Sequence, residues 1–197
     1  MVPVLHQVLG PARSKEILAN AGIVELPDGK SMIPEKSAAR LHRQVRWEEP
    51  ILAPFIAKRA GVATANYILK HRIPKPAQMM LKVLPIGPSS RFLSQAIARH
   101  AWTFAGSGQF RVIDPMTFEV SGNPLIHGEA SEHCMCHWHA AVFARLYDAL
   151  VARGLICTET ACMAQHSSPV CRFELGFENT PPVQNMIEIK EQHADTV

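Results

Sequence analysis

Apolar residues recur at helical spacing through the first hundred positions and at alternate positions soon after. The opening stretch predicts a short helix around Ser14 to Asn20 and a turn at Pro27-Asp28-Gly29. Pro34 suits the first helical position of a segment reaching about Arg46. Glu48-Glu49-Pro50 restarts the chain. Ile56, Ala60, Ala63 and Tyr67 then mark the apolar face of a helix that ends before Pro74, with Pro54 near its start. Pro76 to Leu84 predicts another short helix, and Pro85 to Pro88 a break. Ser89 or Ser90 can cap the next helix, which carries Leu93, Ile97, Ala101 and Phe104 on one face and stops at Gly106.

The period then changes. Gln109 to Ile113 and Thr117 to Ser121 flank Asp114-Pro115-Met116 and predict a β-hairpin. A loop from Gly122 to Glu132 leads to a helix over Met135 to Arg153. Trp138, Val142, Leu146 and Leu150 lie along one side of it, with Phe143 and Tyr147 beside them. Leu155 to Met163 and Val170 to Phe177 predict two more strands joined by a loop at Gln165 to Pro169. Helices followed by strand, strand, helix, strand, strand define an α+β class: a helical layer packed on an antiparallel β-sheet. The chain divides into a helical extension over 1–33, a main domain over 34–177 and a loose polar tail over 178–197.

Composition narrows the function. With 47% apolar residues the chain affords a sizeable core. The net charge is only +3, and the basic residues Arg40, Arg43, Arg46, Lys58 and Arg59 fall on helices without interleaved aromatics. That is a solvated face, and no nucleic-acid partner is expected. No apolar run reaches the ~18 residues of a membrane span, and Met1 to Gly10 lacks the basic leader of an export signal. A cytoplasmic protein is the expectation.

All five cysteines, Cys134, Cys136, Cys157, Cys162 and Cys171, crowd into one short region. An odd number in a reducing compartment argues against a disulfide framework, and clustering argues for metal or redox chemistry. Cys162 and Cys171 sit at matching distances from the last hairpin's loop, so a symmetric register places them opposite each other on one face. Tetrahedral zinc holds two thiolates ~3.7 Å apart, a spacing a cross-strand pair can supply. A third thiolate comes from Cys134 or Cys136 at the start of the long helix, where the helix dipole favours it. The fourth ligand is Glu159 or one of His133, His137, His139 and His166. Glu159 stands three residues before Cys162 and needs a bulge between them to share its face. Buried free thiols, a redox pair and an iron–sulfur cluster are the competing assignments.

The stretch from Glu159 through Cys162, the loop Met163-Ala164-Gln165-His166-Ser167-Ser168-Pro169, and Cys171-Arg172-Phe173-Glu174 resembles the signature of the vinyl-4-reductase (V4R) domain. The segment from Cys136 to Phe143 with Leu146, and the lead-in Asn123-Pro124-Leu125, are similar to the bacteriochlorophyll 4-vinyl reductase branch of that family. The resemblance covers roughly residues 105 to 177. It implies an α+β ligand-binding fold related to vesicle-tethering (TRAPP-like) subunits and to aromatic-responsive sensor domains. It also implies a structural zinc held by Cys136, Cys162, Cys171 and Glu159, and a homodimer. This chain departs from the pattern at His166-Ser167-Ser168, where glycine is common, and in the extra Cys134.

The resemblance further implies work on a tetrapyrrole: reduction of the 8-vinyl group of a divinyl chlorophyllide or protochlorophyllide, in contact with other pigment-synthesis enzymes. A macrocycle needs an apolar slot. Phe92, Ile97 and Phe104, or Trp138, Phe143 and Tyr147, can line one, with plain core packing as the competing role. His139 or His100 can offer an axial imidazole to a chlorin's magnesium, and Arg99 or Arg145 can meet a propionate. Hydride delivery needs a reductant that the motifs do not identify. Gly106-Ser107-Gly108 is the nearest thing to a nucleotide loop, and its place between a helix and a strand makes it a turn. Three functions follow: a tetrapyrrole carrier or accessory factor, a vinyl reductase with an external reductant, or a ligand-sensing module of the same fold.

Overall fold

A computed structural model describes residues 1–26, 33–165 and 167–178; the expected turn at Pro27-Asp28-Gly29, His166 and the tail beyond Glu178 lie outside them. The first helix runs longer than the sequence pattern indicates, whereas the last, α7, is shorter than the expected Met135 to Arg153. Helix α1 spans Val2–Asn20, so the expected helix at Ser14 is only its second half. Gly10, at φ 78°, kinks it ahead of Pro11, a conformation that glycine adopts without a Cβ penalty. Helix α2 is Glu35–Glu48, with Pro34 just outside it rather than at its first position. Helix α3 is Ala53–His71 and takes Pro54 into its first turn, where no backbone N–H is needed.

Helices α4 (Lys75–Val83) and α5 (Ile86–Arg99) follow. Ser89 and Ser90 do not cap α5. Pro85 holds the cap position, and the buried Ser89 hydroxyl instead faces the carbonyls of Leu81 (2.9 Å) and Leu150 (3.3 Å), where it ties three helices together. The expected continuous helix to Gly106 breaks at His100, leaving α6 as the single turn Trp102–Ala105.

Strands β1 (Gln109–Asp114) and β2 (Thr117–Ser121) form the expected hairpin, with the Asp114 carboxylate accepting from the Met116 N–H at 2.7 Å. A short 3-10 turn at Pro124–Ile126 interrupts the expected loop. Helix α7 is His137–Leu150, and strands β3 (Leu155–Ala161) and β4 (Val170–Phe177) complete one antiparallel sheet of order β1-β2-β4-β3. The fold is thus α+β, with helices packed on an antiparallel sheet.

Two cores fill it. The larger lies between the sheet and helices α5 and α7, around Phe118, Phe143, Tyr147 and Phe173, all essentially without solvent contact. The Tyr147 hydroxyl donates to the Pro115 carbonyl at 2.6 Å, which satisfies the polar tip of a buried ring. The smaller core joins α1, α2 and the first half of α3 through Leu5, Ile17, Leu41, Val45 and Ile56. Trp138 packs against both.

Helix α3 buries only part of the expected face: Ile56 and Ala60 are buried as the spacing predicts, but the buried stripe turns away from it further along the helix. Ala63 and Tyr67 are exposed, and the buried stripe is Ile56, Ala57, Ala60, Gly61 and Ala65. Gly61 is the reason. A Cβ there would strike the Trp138 carbonyl and lie 2.8 Å from Ala141 Cβ, so the two helices cross at a distance only glycine permits. Gly61→Leu should therefore lower stability by ~3 kcal/mol or more through forced separation of α3 and α7, and even Gly61→Ala should lower the denaturant midpoint in urea unfolding monitored by circular dichroism.

Candidate metal centre

Four side chains from three pieces of chain converge at the end of the sheet. Cys136 caps the N-terminus of α7, Glu159 lies on β3, Cys162 follows β3 directly, and Cys171 is the second residue of β4. One ligand atom from each lies within 4.8 Å of all the others. The sulfurs of Cys136 and Cys171 are 3.4 Å apart, in contact but unbonded.

Strand register explains the convergence. From Leu155 to Glu159, β3 pairs residue by residue with β4, placing Glu159 opposite Phe173 on the inward face. The register then slips by one at Thr160, so that Ala161 faces Arg172. This is the bulge that the spacing of Glu159 and Cys162 demands. It carries Cys162 level with Cys171 while the carboxylate stays on the same side.

The surroundings donate hydrogen bonds to sulfur. Asn123, fully buried, directs its Nδ2 at Cys136 (3.2 Å) and Cys171 (3.6 Å), while its Oδ1 accepts from the Leu125 N–H at 3.1 Å. The Met163 N–H donates to Cys171 at 3.5 Å, and the nearby backbone of Ala164 and Met135 helps to lower the Cys162 thiol. Glu159 Oε2 accepts from the Cys136 N–H at 2.7 Å, but its Oε1 is buried with no partner among the described residues.

The protonation equilibria show what such crowding costs without a cation. Burial, then the neighbouring Cys162 sulfur, pushes the Glu159 carboxyl up to about 8. Hydrogen bonds from Cys136 and Cys171 pull the Cys162 thiol down strongly. Cys136 is driven well above its usual range by those same contacts and by burial. Cys171 is pulled down by Cys136, but its bond to Cys162 and its burial leave it raised to about 12. Only one thiolate is comfortable among the three. A divalent ion would remove the conflict by taking three thiolates and the orphaned carboxylate oxygen. A donor set of three sulfurs and one oxygen is compatible with zinc, and the N–H donors are the outer contacts that such thiolates need.

The remaining sequence candidates lie elsewhere. Cys134 is outside the cluster, with its sulfur 3.9 Å from Gln165 Oε1, and Cys157 sits farther back on β3. His133 and His137 line a separate cavity of about 280 Å³ with His42 and Arg46. His139 is fully buried in an aromatic cluster, its ring centroid 4.9 Å from Trp138, 6.1 Å from Phe104 and 5.8 Å from Phe173. Neither of its nitrogens has a hydrogen-bond partner among the described residues, and burial lowers its pKa to about 4. His100 is exposed at the end of α5, with Nδ1 2.9 Å from the Ala96 carbonyl. Phe143 and Tyr147 are core residues, and Phe92 is half exposed, so no single slot collects these groups. Arg43 and Arg46 pair with Glu129 rather than forming an open basic face. Among the described residues no helix is long and apolar enough to cross a membrane. The role of Asn123 was not legible in advance; its one signal is the Asn-Pro pair, which predicts the turn but not the sulfur contacts.

A family model, the V4R domain, matches residues 116–177, from the turn before β2 through the cysteine–glutamate cluster to the end of β4. The chain belongs to the V4R-domain family. Two relatives extend the likeness well beyond that match, each named "Bacteriochlorophyll synthase 23 kDa chain". The protein from Cereibacter sphaeroides is 45% identical over 177 residues, covering 89% of this chain and 85% of its own length. The one from Rhodobacter capsulatus is 38% identical over 176 residues, covering 88% and 82%.

Two outcomes are expected. Elemental analysis of the wild type should find ~1 zinc per chain; Cys162→Ser and Cys171→Ser should each abolish it and lower the melting temperature by more than about 10 °C, whereas Asn123→Ala should weaken zinc affinity by about 10- to 100-fold without changing the stoichiometry. Acid should destabilise the fold through His139. Its folded pKa lies below the unfolded value, so its contribution is complete above about 6.5 and is lost as pH falls toward about 4, on the order of 3 kcal/mol in all. His139→Phe should flatten part of that slope in chemical denaturation measured from pH 7 to 4.

Proposed function

We propose that this protein serves bacteriochlorophyll biosynthesis as a zinc-stapled tetrapyrrole-binding factor that assists reduction of the 8-vinyl group of a divinyl chlorophyllide-type pigment. The observation that carries the pathway is the 45% identity across 89% of the chain to a relative named as a chain of bacteriochlorophyll synthase. That wording also supports contact with other pigment-synthesis enzymes, and it favours this reading over a free-standing sensor.

The residues favour assistance over a self-sufficient reductase. Hydride transfer to a vinyl group requires a nicotinamide, a flavin or another reductant. At Gly106-Ser107-Gly108 the turn is filled by an acid: the Glu35 carboxylate accepts from the Ser107 hydroxyl at 2.8 Å and from its backbone N–H. A carboxylate in that position repels a phosphate. The cluster of Cys136, Glu159, Cys162 and Cys171 supplies four protein donors in a buried setting, which is the closed arrangement of a structural metal. A zinc ion there supplies cross-linking of α7 to the β3–β4 hairpin, and the electrons come from a partner. A cytoplasmic homodimer completes the reading.

Divinyl protochlorophyllide titrated into the zinc-loaded full-length protein should shift the pigment's absorption bands. Addition of a reduced nicotinamide should then yield no 8-ethyl product from this protein alone. Turnover in that mixture would convert the assistant into an enzyme, and an unshifted spectrum would remove the pigment from the account.

A further inference from the structure

An open groove among the described residues lies away from the cysteine–glutamate cluster and away from the buried aromatic cluster. Its volume is about 620 Å³, and α1, α3 and α7 bound it. That volume lies within the ~300–1,000 Å³ typical of small-molecule sites. Its form follows from the helix crossing. Gly61 brings α3 down onto α7, so the exposed side of α3 and the adjoining surface of α7 meet in a shallow angle. On α7 the groove is lined by Ala141 and Ala144, whose short side chains leave a flat apolar strip. On α3 it is lined by Phe55 and Val62, which are 49% and 39% exposed and stand two helical turns apart on one stripe.

Charge along the groove is one-sided. Lys58, Arg59 and Arg145 line it against one acid, Asp148. Arg145 is braced, its Nε donating to Asn66 Oδ1 at 2.9 Å and its Nη1 to Asp148 Oδ2 at 2.8 Å. The Arg59 guanidinium lies 5.6 Å from the centre of the Phe55 ring. Among the described residues neither Lys58 nor Arg59 has a carboxylate within salt-bridge distance, and no histidine lines the groove. A flat apolar strip edged by unneutralised cations fits a planar apolar ligand that carries a carboxylate. It offers no imidazole to a central metal.

We propose that this groove seats the tetrapyrrole and recognises it by its free carboxylate rather than by its magnesium. The proposal rests on the pigment-binding reading above and adds the site and the chemical form of the ligand. His139, the axial ligand suggested by sequence, is enclosed by Phe104, Phe143, Phe173 and Trp138 in the core and does not border the groove. The protein then acts on the pigment while its propionate is still a free acid, upstream of the class of reaction that esterifies it.

The test uses the full-length, zinc-loaded protein and three probes: a magnesium chlorophyllide free acid, its metal-free counterpart, and the corresponding methyl ester. Wild type should bind both acids with equal affinity and the ester about tenfold or more weakly, with binding of the acids weakening as salt rises. Lys58→Glu combined with Arg59→Glu should weaken binding of the acids by a similar factor, and Val62→Trp should block all three probes by filling the groove. Both changes lie on an exposed helix face, so zinc content and melting temperature should match wild type. If both variants bind like wild type, the groove is not the seat, although pigment binding itself stands. Equal affinity for acid and ester, or a strong preference for the magnesium form, overturns carboxylate recognition. Failure of wild type to bind any probe removes the pigment reading and this proposal together.

Discussion

Three sulfur atoms and a carboxylate packed within 4.8 Å of one another must hold either protons or a cation. Protons leave the arrangement divided: one thiolate is favoured, its neighbours are pushed up, and a buried carboxylate oxygen is left without a partner. A divalent ion would resolve all of these at once. The donors belong to the start of α7, the end of β3 and the start of β4, so an ion that satisfied them would fasten the central helix to the sheet. Apparent zinc binding of this kind contributes ~10 kcal/mol or more, comparable to the stability of a whole domain.

From that fastening point the architecture runs outward through α7. One side of the helix carries Phe143 and Tyr147 into the core over Phe118 and Phe173. Another carries Ala141 against α3 at Gly61. Through α3 the helix is tied to the second core, which α1 and α2 complete. Both elements that shape the groove, the close crossing and the small residues of α7, therefore depend on a helix whose start is packed into the cysteine–glutamate cluster.

The division of labour is spatial. The cluster is closed, buried and supplied with N–H donors, the features of a site that stabilises structure. The groove is open, apolar and edged with cations, the features of a site that receives a ligand. The histidine and aromatic residues between them fill the core.

Local chemistry made much of this legible in the sequence. Alternation fixed the strands: β4 falls on Val170–Phe177 as its pattern requires. The spacing of Glu159 and Cys162 required a bulge, and the matching distances of Cys162 and Cys171 from their loop required a shared face; both are properties of strand geometry that short segments encode. Helix starts were less legible, because proline serves equally at a cap, as Pro34 and Pro85 do, or in a first turn, as Pro54 does. Tertiary packing alone decided which of Cys134 and Cys136 joins the cluster, since two cysteines two positions apart differ only in where the turn before α7 aims them. It alone decided which face of α3 is buried, since an alanine-rich helix carries no strong moment and the crossing at Gly61 selects the face. The groove belongs to the same class: its residues are apolar or basic in any one-dimensional reading, and only the approach of two helices gives them a common space.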